Sequence, residues 1–375
     1  MSGNFQKILA SLAFSLNLLA APAQARPASD APVHYREFNL SFSDNYNPSL
    51  EPVMLVHNAH TLESMLNEAL WRLEPHTFLG RAALLGAAFY EQAVFNAGVH
   101  ELGHYQEARE AGRKIEEFPL WRVLILQGYV QHSGERGMYA VTEDLSILSR
   151  GLAINMALAH DVVRSAVSSG YMNPLDGLSY AANHAFVSTP IMDKKIYEDY
   201  ILELHGAGSS ALRNTRRDIL GISIFNALDP YTIYSAWGVG KYLSTGNPTQ
   251  SMPSPAVPQL NGYLAVPQPL YEACWYVPWQ EGVLSAALRA GNAVENYAAL
   301  RLGLHHLGWK NMQLSGFVEG IHSGSNDGIA VHGSVLFPIA GIKVGPTISY
   351  KSDGVWTPFM NGLSERVVVG IGIEL

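Results

Sequence analysis

The sequence is poor in cysteine, in charge and in long apolar runs, and each shortage narrows what the chain can be. Its one cysteine, Cys274, permits no intramolecular disulfide and no thiolate pair for a metal. Charged residues make up 15%, with 24 Lys and Arg against 32 Asp and Glu and a formal net charge of -8. The basic surface that phosphate binding requires is missing, so no nucleic acid and no nucleotide is expected as a partner. Charges interrupt most apolar stretches. Two exceptions are Leu220 to Gly240, whose only formal charge is Asp229, and Ala166 to Met192, whose only formal charge is Asp176. Each could cross a bilayer or lie as a buried helix. No repeat at a fixed period is evident.

What is present begins with an export signal. Lys7 supplies a positive flank, Ile8 to Ala20 an apolar stretch and Ala23-Gln24-Ala25 a small-residue cleavage site, so residues 1–25 read as a signal peptide. Cleavage removes Lys7 and no acidic residue, moving the net charge from -8 to -9. An exported protein of the cell envelope, in membrane or periplasm, is expected. The hydrophobic fraction of 48% is high for a secreted enzyme and low for a bundle of membrane helices.

Along the mature chain, His34 to Tyr46 alternates as a strand, and Thr61 to Arg72 and Arg81 to Ala111 repeat at helical spacing, the latter stopped by Gly112. Trp121 to Gln131 is rich in β-formers. Helices are expected at Thr142 to Ser169, Gly177 to Phe186, Lys194 to His205 and Thr215 to Trp237. Six prolines between Pro248 and Pro269 mark a linker over 244–270. Beyond it, Met312 to Ile321, Gly328 to Ile339, Ile342 to Lys351 and Glu365 to Leu375 alternate like an antiparallel meander. Such alternation also suits outer-membrane strands, but four cannot close a barrel, and a sheet packed on helices is expected instead.

The chemistry lies in His100-Glu101-Leu102-Gly103-His104, an HExxH sequence in a helical context. Four residues apart on a helix, His100 and His104 project from one face and can share one Zn²⁺, while Glu101 can reach a metal-bound water without being a ligand. A metal-activated water with a free carboxylate as base is the chemistry of peptide-bond hydrolysis. A third ligand is required. Asp176, in Asn173-Pro174-Leu175-Asp176-Gly177, is preferred, and Asp229, in the similar Asn226-Ala227-Leu228-Asp229-Pro230, is its rival. His160 and His184 are further alternatives, although a lone histidine in an apolar stretch is more often a satisfied core residue. Glu91 either orients a ligand or faces solvent, and His305-His306 is expected at the surface.

The order HELGH, Ala108-Arg109, Gly112, Gln127-Gly128-Tyr129-Val130, Arg150 to Asn155 and Leu175-Asp176-Gly177 resembles the site-2 protease family of membrane-embedded zinc peptidases. The resemblance covers roughly residues 80–190. It implies that Asp176 completes the metal site and that Asn173 contacts the substrate carbonyl. The segment with Gly128 and Tyr129 would bind substrate as an edge strand, pairing with an extended peptide.

The combined expectation is an α+β chain: a mostly helical zincin-type core carrying the HExxH helix, followed by a C-terminal antiparallel β-region. Its parts are a signal peptide (1–25), a zinc metallopeptidase-like domain (26–243), a Pro-rich linker (244–270) and a β-rich region (271–375). One Zn²⁺ per chain is expected, with a protein or peptide of the envelope as substrate. The rival is a non-catalytic, outer-membrane-associated binding protein whose HELGH site holds structural metal or none.

Overall fold

A computed structural model describes residues 37–43, 48–49, 52–73, 75–118, 122, 124, 131–133, 140–188, 210–248, 252–265, 268–280, 282–291, 297–323, 326–353, 357–358 and 365–374. Its helices are α1 (Pro52–Trp71), α2 (Phe78–Glu110), α3 (Ala140–Ser169), α4 (Pro174–Ser188), α5 (Ser210–Ala227) and α6 (Pro230–Thr245). Its strands are β1 (Glu37–Ser43), β2 (Pro48–Ser49), β3 (Lys114–Glu117), β4 (Gln131–Ser133), β5 (Gln259–Ala265), β6 (Gln268–Trp279), β7 (Gly282–Gly291), β8 (Tyr297–Trp309), β9 (Met312–Ser323), β10 (Asn326–Ile339), β11 (Ile342–Lys351) and β12 (Arg366–Glu374).

Local sequence explains the helix limits. The Thr77 hydroxyl accepts from the Gly80 N–H at 3.0 Å and starts α2. At the other end Gly112, at φ +71°, donates to the Arg109 carbonyl while Arg113 donates to that of Ala108, the paired closure that a left-handed glycine permits. The expected helix from Thr215 to Trp237 is broken in two. Asp229 caps α6 by accepting from the Thr232 N–H at 2.6 Å, and Pro230 opens its first turn. The stretch Leu220 to Gly240 is thus not one span, and no helix among the described residues is long and apolar enough to cross a membrane.

Beta-strands β5 to β12 form one antiparallel meander, and β1 returns to pair with β12, giving a ten-stranded sheet ordered β2-β1-β12-β11-β10-β9-β8-β7-β6-β5. This corrects the expectation of a mostly helical zincin-type core with a β-region appended. The helices and the sheet share one core: Met54, Leu55 and Val56 of α1 and Leu152 to Leu158 of α3 pack with Tyr263, Tyr297, Phe317 and Val368 of the strands. The physical reason is that α3 is buried around its whole circumference from Gly151 to Val163, which helices alone do not achieve here. Strands β5 and the start of β6 also occupy the stretch 244–270 that was expected to be a linker.

Among the described residues the two ends of the sheet do not pair with each other. Instead an asparagine from a helix acts as a substitute strand at each. Asn226 of α5 accepts from the Gly262 N–H at 2.6 Å and donates to its carbonyl at 2.9 Å. Asn58 of α1 does the same to Asn39 of β1, at 2.6 and 2.9 Å. At these two positions a helix side chain satisfies backbone groups that the sheet leaves open.

Candidate metal centre

His100 and His104 lie on α2 where it crosses α3. Two glycines allow the close approach. A Cβ on Gly103 would stand 2.6 Å from Ile154 Cδ1, and one on Gly151 would stand 2.6 to 2.7 Å from three atoms of the His100 ring. The imidazole of His100 therefore rests on the bare backbone of α3. Beside it the carboxylate of Glu107 receives the Arg150 Nε at 3.1 Å and the Ser146 hydroxyl at 2.5 Å, fastening the two helices one turn past His104.

The ring geometry is specific. His104 Nδ1 lies 2.6 Å from the carbonyl oxygen of Ile147, and His100 Nδ1 lies 2.9 Å from Asn155 Oδ1. Asn155 is oriented by its own amide nitrogen, which faces the Asn96 carbonyl and Asn183 Oδ1 at 3.4 and 3.3 Å. Facing two acceptors, both Nδ1 atoms carry the hydrogen, and the acceptor lone pair of each ring is on Nε2. Those two Nε2 atoms converge to 2.9 Å with the rings at 87°. Two lone pairs at this separation repel unless a proton or a cation lies between them. Zinc–nitrogen bonds of about 2.0–2.1 Å in a tetrahedral site place two nitrogens about 3.3 Å apart, so a few tenths of an ångström of side-chain movement accommodates the ion. Nδ1 partners of this kind are also what orient metal-ligating histidines. His100 and His104 thus supply two of the three protein ligands that a catalytic zinc takes.

Glu101 follows His100 on the same helix and is half-exposed, open to water where His104, at 8%, is not. Asp176 is not brought to the histidines. Asn173 caps α4, accepting from the Leu175 and Asp176 N–H groups at 2.8 and 2.9 Å, and its amide donates to Asp176 Oδ2 at 2.6 Å. Asn183, which touches Asn155 behind His100, lies about 10 Å further along the axis of α4 than Asp176. Among the described residues no third His, Cys, Asp or Glu gathers with His100 and His104. Asp229 is fully committed, accepting from the Leu260 N–H and the Tyr180 hydroxyl at 2.7 Å each besides capping α6. His184 is held by Thr232 and Asn261 at 2.7 and 2.8 Å, and burial pushes its pKa down, as for a neutral core histidine.

Following α2, β3 pairs antiparallel with β4 as a short hairpin. Gly128, Tyr129 and Val130, the expected substrate strand, lie outside the described residues, as does the helix expected at Lys194 to His205. Burial, with Glu63 nearby, pushes the Glu91 carboxyl up to about 7, and both its oxygens are buried without a hydrogen-bond partner. His305, expected at the surface, is inside the sheet, 3.0 Å from Ser285 Oγ and 2.9 Å from an Arg164 nitrogen. The reading from sequence missed the roles of Asn155 and Gly151, although both sit in the small-residue run Arg150 to Asn155 that it singled out. It also missed a buried network inside the sheet, where Arg289 binds Glu272 at 2.6 Å and also pairs with Glu319.

No protein-family model, no curated protein and no solved structure matches this chain.

Proposed function

We propose that the protein is a zinc-dependent peptidase of the cell envelope, in which His100 and His104 hold one zinc ion and Glu101 is the general base. The observation that carries the reading is the convergence of two Nε2 acceptors at 2.9 Å, each ring locked from behind by a hydrogen-bond acceptor. Zinc bound there would supply a water of pKa about 7 and polarise a substrate carbonyl. The Ile147 carbonyl and Asn155 fix the tautomer and the aim of the two rings, turning both Nε2 atoms toward one point. Gly151 gives the His100 ring its seat. Glu101, one residue round the helix from the ligands and half-exposed, takes a proton from water and returns it to the leaving amine. Zinc content of Asp176→Ala beside His104→Ala tests the ligand expected from the motif: zinc retained in Asp176→Ala leaves the third position to another group.

The rival reading, a binding protein with a structural metal, is favoured by the depth of His104 but not by the exposure of Glu101. The two separate on Glu101→Gln. Incubated with a quenched-fluorescent peptide library, wild-type protein cleaves and the variant keeps its zinc yet loses at least a hundredfold in rate. Equal behaviour of the two proteins, cleaving or inert, removes Glu101 from the chemistry.

A further inference from the structure

The sheet is built with its polarity reversed. On β6 to β12 the side chains facing the helices include Glu272, Arg289, Arg301, Glu319 and Lys351, all buried. The opposite face carries Leu302, Val318, Ile348, Val369 and Ile371, each 43% to 53% exposed. Cross-strand register confirms that these lie on one surface: Leu302 pairs with Val318, Val331 with Val318, Ile348 with Val369 and Pro346 with Ile371. A sheet facing water alternates in the other sense, apolar in and polar out.

The outer face is also banded. At one end three hairpins turn tightly, with Trp279 paired to Gly282, Trp309 to Met312 and Ile339 to Ile342. Their turn residues Lys310, Ala340 and Gly341 adopt positive φ, as two-residue hairpins require. This rim bears exposed Trp279, Trp309 and Phe337. At the other end the outward positions turn polar, with an exposed His322–Asp327 pair at 2.5 Å and Glu365 hydrogen-bonded to Tyr350 at 3.1 Å. Here two connections are tight, Ala265 to Gln268 and Ser323 to Asn326, and two are longer, from Gly291 to Tyr297 and from Lys351 to Arg366. Between the rims the outward positions of β8 to β12 carry no Asp, Glu, Lys or Arg. The strand from Met312 to His322 is about 33 Å long at about 3.3 Å per residue. Tilted by about 40°, it spans about 25 Å, the height of the apolar band on a membrane strand.

We propose that this outer face is a lipid-facing surface, seated in the acyl-chain region of a bilayer with the tightly turned, tryptophan-bearing rim at one interface and the polar rim at the other. The proposal goes beyond the zinc site and does not depend on it. Three features of the sheet favour acyl chains over a protein partner. The uncharged band runs across at least five adjacent strands rather than forming a bounded patch, its strands are long enough to cross hydrocarbon at the tilt usual for membrane strands, and it is flanked by a tryptophan-bearing rim at one end and a polar rim at the other. On β5 and β1 one outward-facing backbone N–H and C=O pair each, at Gly262 and Asn39, is already engaged by Asn226 and Asn58. Beside the β5 edge, α5 and α6 expose Leu220, Ile224, Ile233 and Trp237, so the apolar surface does not stop where the strands do. Over Gly333, where a Cβ would meet nothing within 4 Å, the outer face has an apolar hollow of about 570 Å³ lined by Leu302, Val318, Val335 and Ile348, wide enough for chain methylenes.

The test is flotation of the full mature chain with vesicles of phosphatidylcholine and phosphatidylglycerol in a density gradient, after refolding from urea in their presence. Wild-type protein floats with the vesicles, resists extraction by carbonate and needs detergent to remain monodisperse without them. Ile348→Arg, at mid-band, reduces flotation at least tenfold, while Asp327→Lys at the polar rim floats as the wild type does. Should Ile348→Arg fail to regain sheet circular dichroism in detergent, the wild-type result alone decides. Wild-type protein that stays monomeric and soluble without detergent and does not float overturns the proposal, and so does a defined dimer in detergent-free solution, which would make the face an interface between copies.

Discussion

The metal centre among the helices and the charge network inside the sheet are both buried polar clusters, and they are finished differently. In the sheet, Arg289 lies between Glu272 and Glu319, and Thr357 donates to the free oxygen of Glu319 at 2.8 Å, so donors and acceptors answer one another. Among the helices, His100 and His104 spend their donors on Asn155 and Ile147 and turn two acceptors toward each other. The first cluster answers every charge with its opposite, whereas between the two Nε2 atoms of the second a proton or a cation has to lie. Burial of polar groups is therefore not what marks a functional site here; the direction in which hydrogen bonding remains open is.

That contrast can be broken at either end. Arg289→Met should be the most damaging substitution, because it takes the guanidinium from two buried carboxylates and leaves Glu272 to His160 and Arg301 and Glu319 to Thr357: a loss of about 3–5 kcal/mol in urea unfolding is expected, with zinc binding unchanged in whatever protein remains folded. Zinc binding that falls in step would mean that the clusters are one. Gly151→Ala drives a methyl into the His100 ring and should weaken zinc affinity at least a hundredfold, about 2.7 kcal/mol, by competition with a chromophoric chelator. Asn155→Ala removes the acceptor behind His100 and should cost about 10–100-fold in the same assay, with Asn155→Asp recovering most of it. A merely structural Asn155 would instead show lower stability and unchanged affinity.

The smallest effect belongs to Glu91, which neither cluster uses. Its carboxyl, raised by burial from 4.5 to about 7, makes the folded chain bind an extra proton between those values. The folded state is therefore penalised progressively as pH rises from 4.5 to about 7, the penalty is complete above about 7, and it vanishes below 4.5. Glu91→Gln should stabilise the protein by about 1 kcal/mol at pH 8, a figure reduced for partial exposure, and by nothing at pH 4. A stabilisation that is the same at both pH values would assign the effect to packing.

How far the sequence could be read follows the strength of its periodicities. Helix α2 was legible because its apolar repeat runs unbroken and Gly112 ends it, and the HELGH spacing puts two histidines on one face whatever surrounds them. Strands β9 to β12 were legible because small polar residues such as Ser315, Ser334 and Ser349 alternate with Leu314, Val335 and Ile348. Strands β5 to β8 were not. In β6 the inward Leu270, Cys274 and Tyr276 and the outward Tyr271, Ala273 and Trp275 are alike apolar, which erases the period of two, and the surrounding prolines imitate a linker. Glu272, Arg289 and Arg301 then look like solvent-facing charges although they are the interior. The support for the metal centre was half hidden: Asn155 has a side chain to notice, but the Ile147 carbonyl is backbone and leaves no mark in a sequence. Asp176 read as a ligand from its motif, whereas the side chain of Asn173 engages it at the start of α4.

The central claim is that His100 and His104 converge because they hold zinc. Metal content per chain, measured on wild-type, Glu101→Gln and His104→Ala proteins after supply of zinc and exhaustive dialysis, tests it most directly. One zinc in the first two and none in the third is the result this account requires. Wild-type protein that emerges without zinc would contradict it, leaving the 2.9 Å pair of nitrogens to a shared proton.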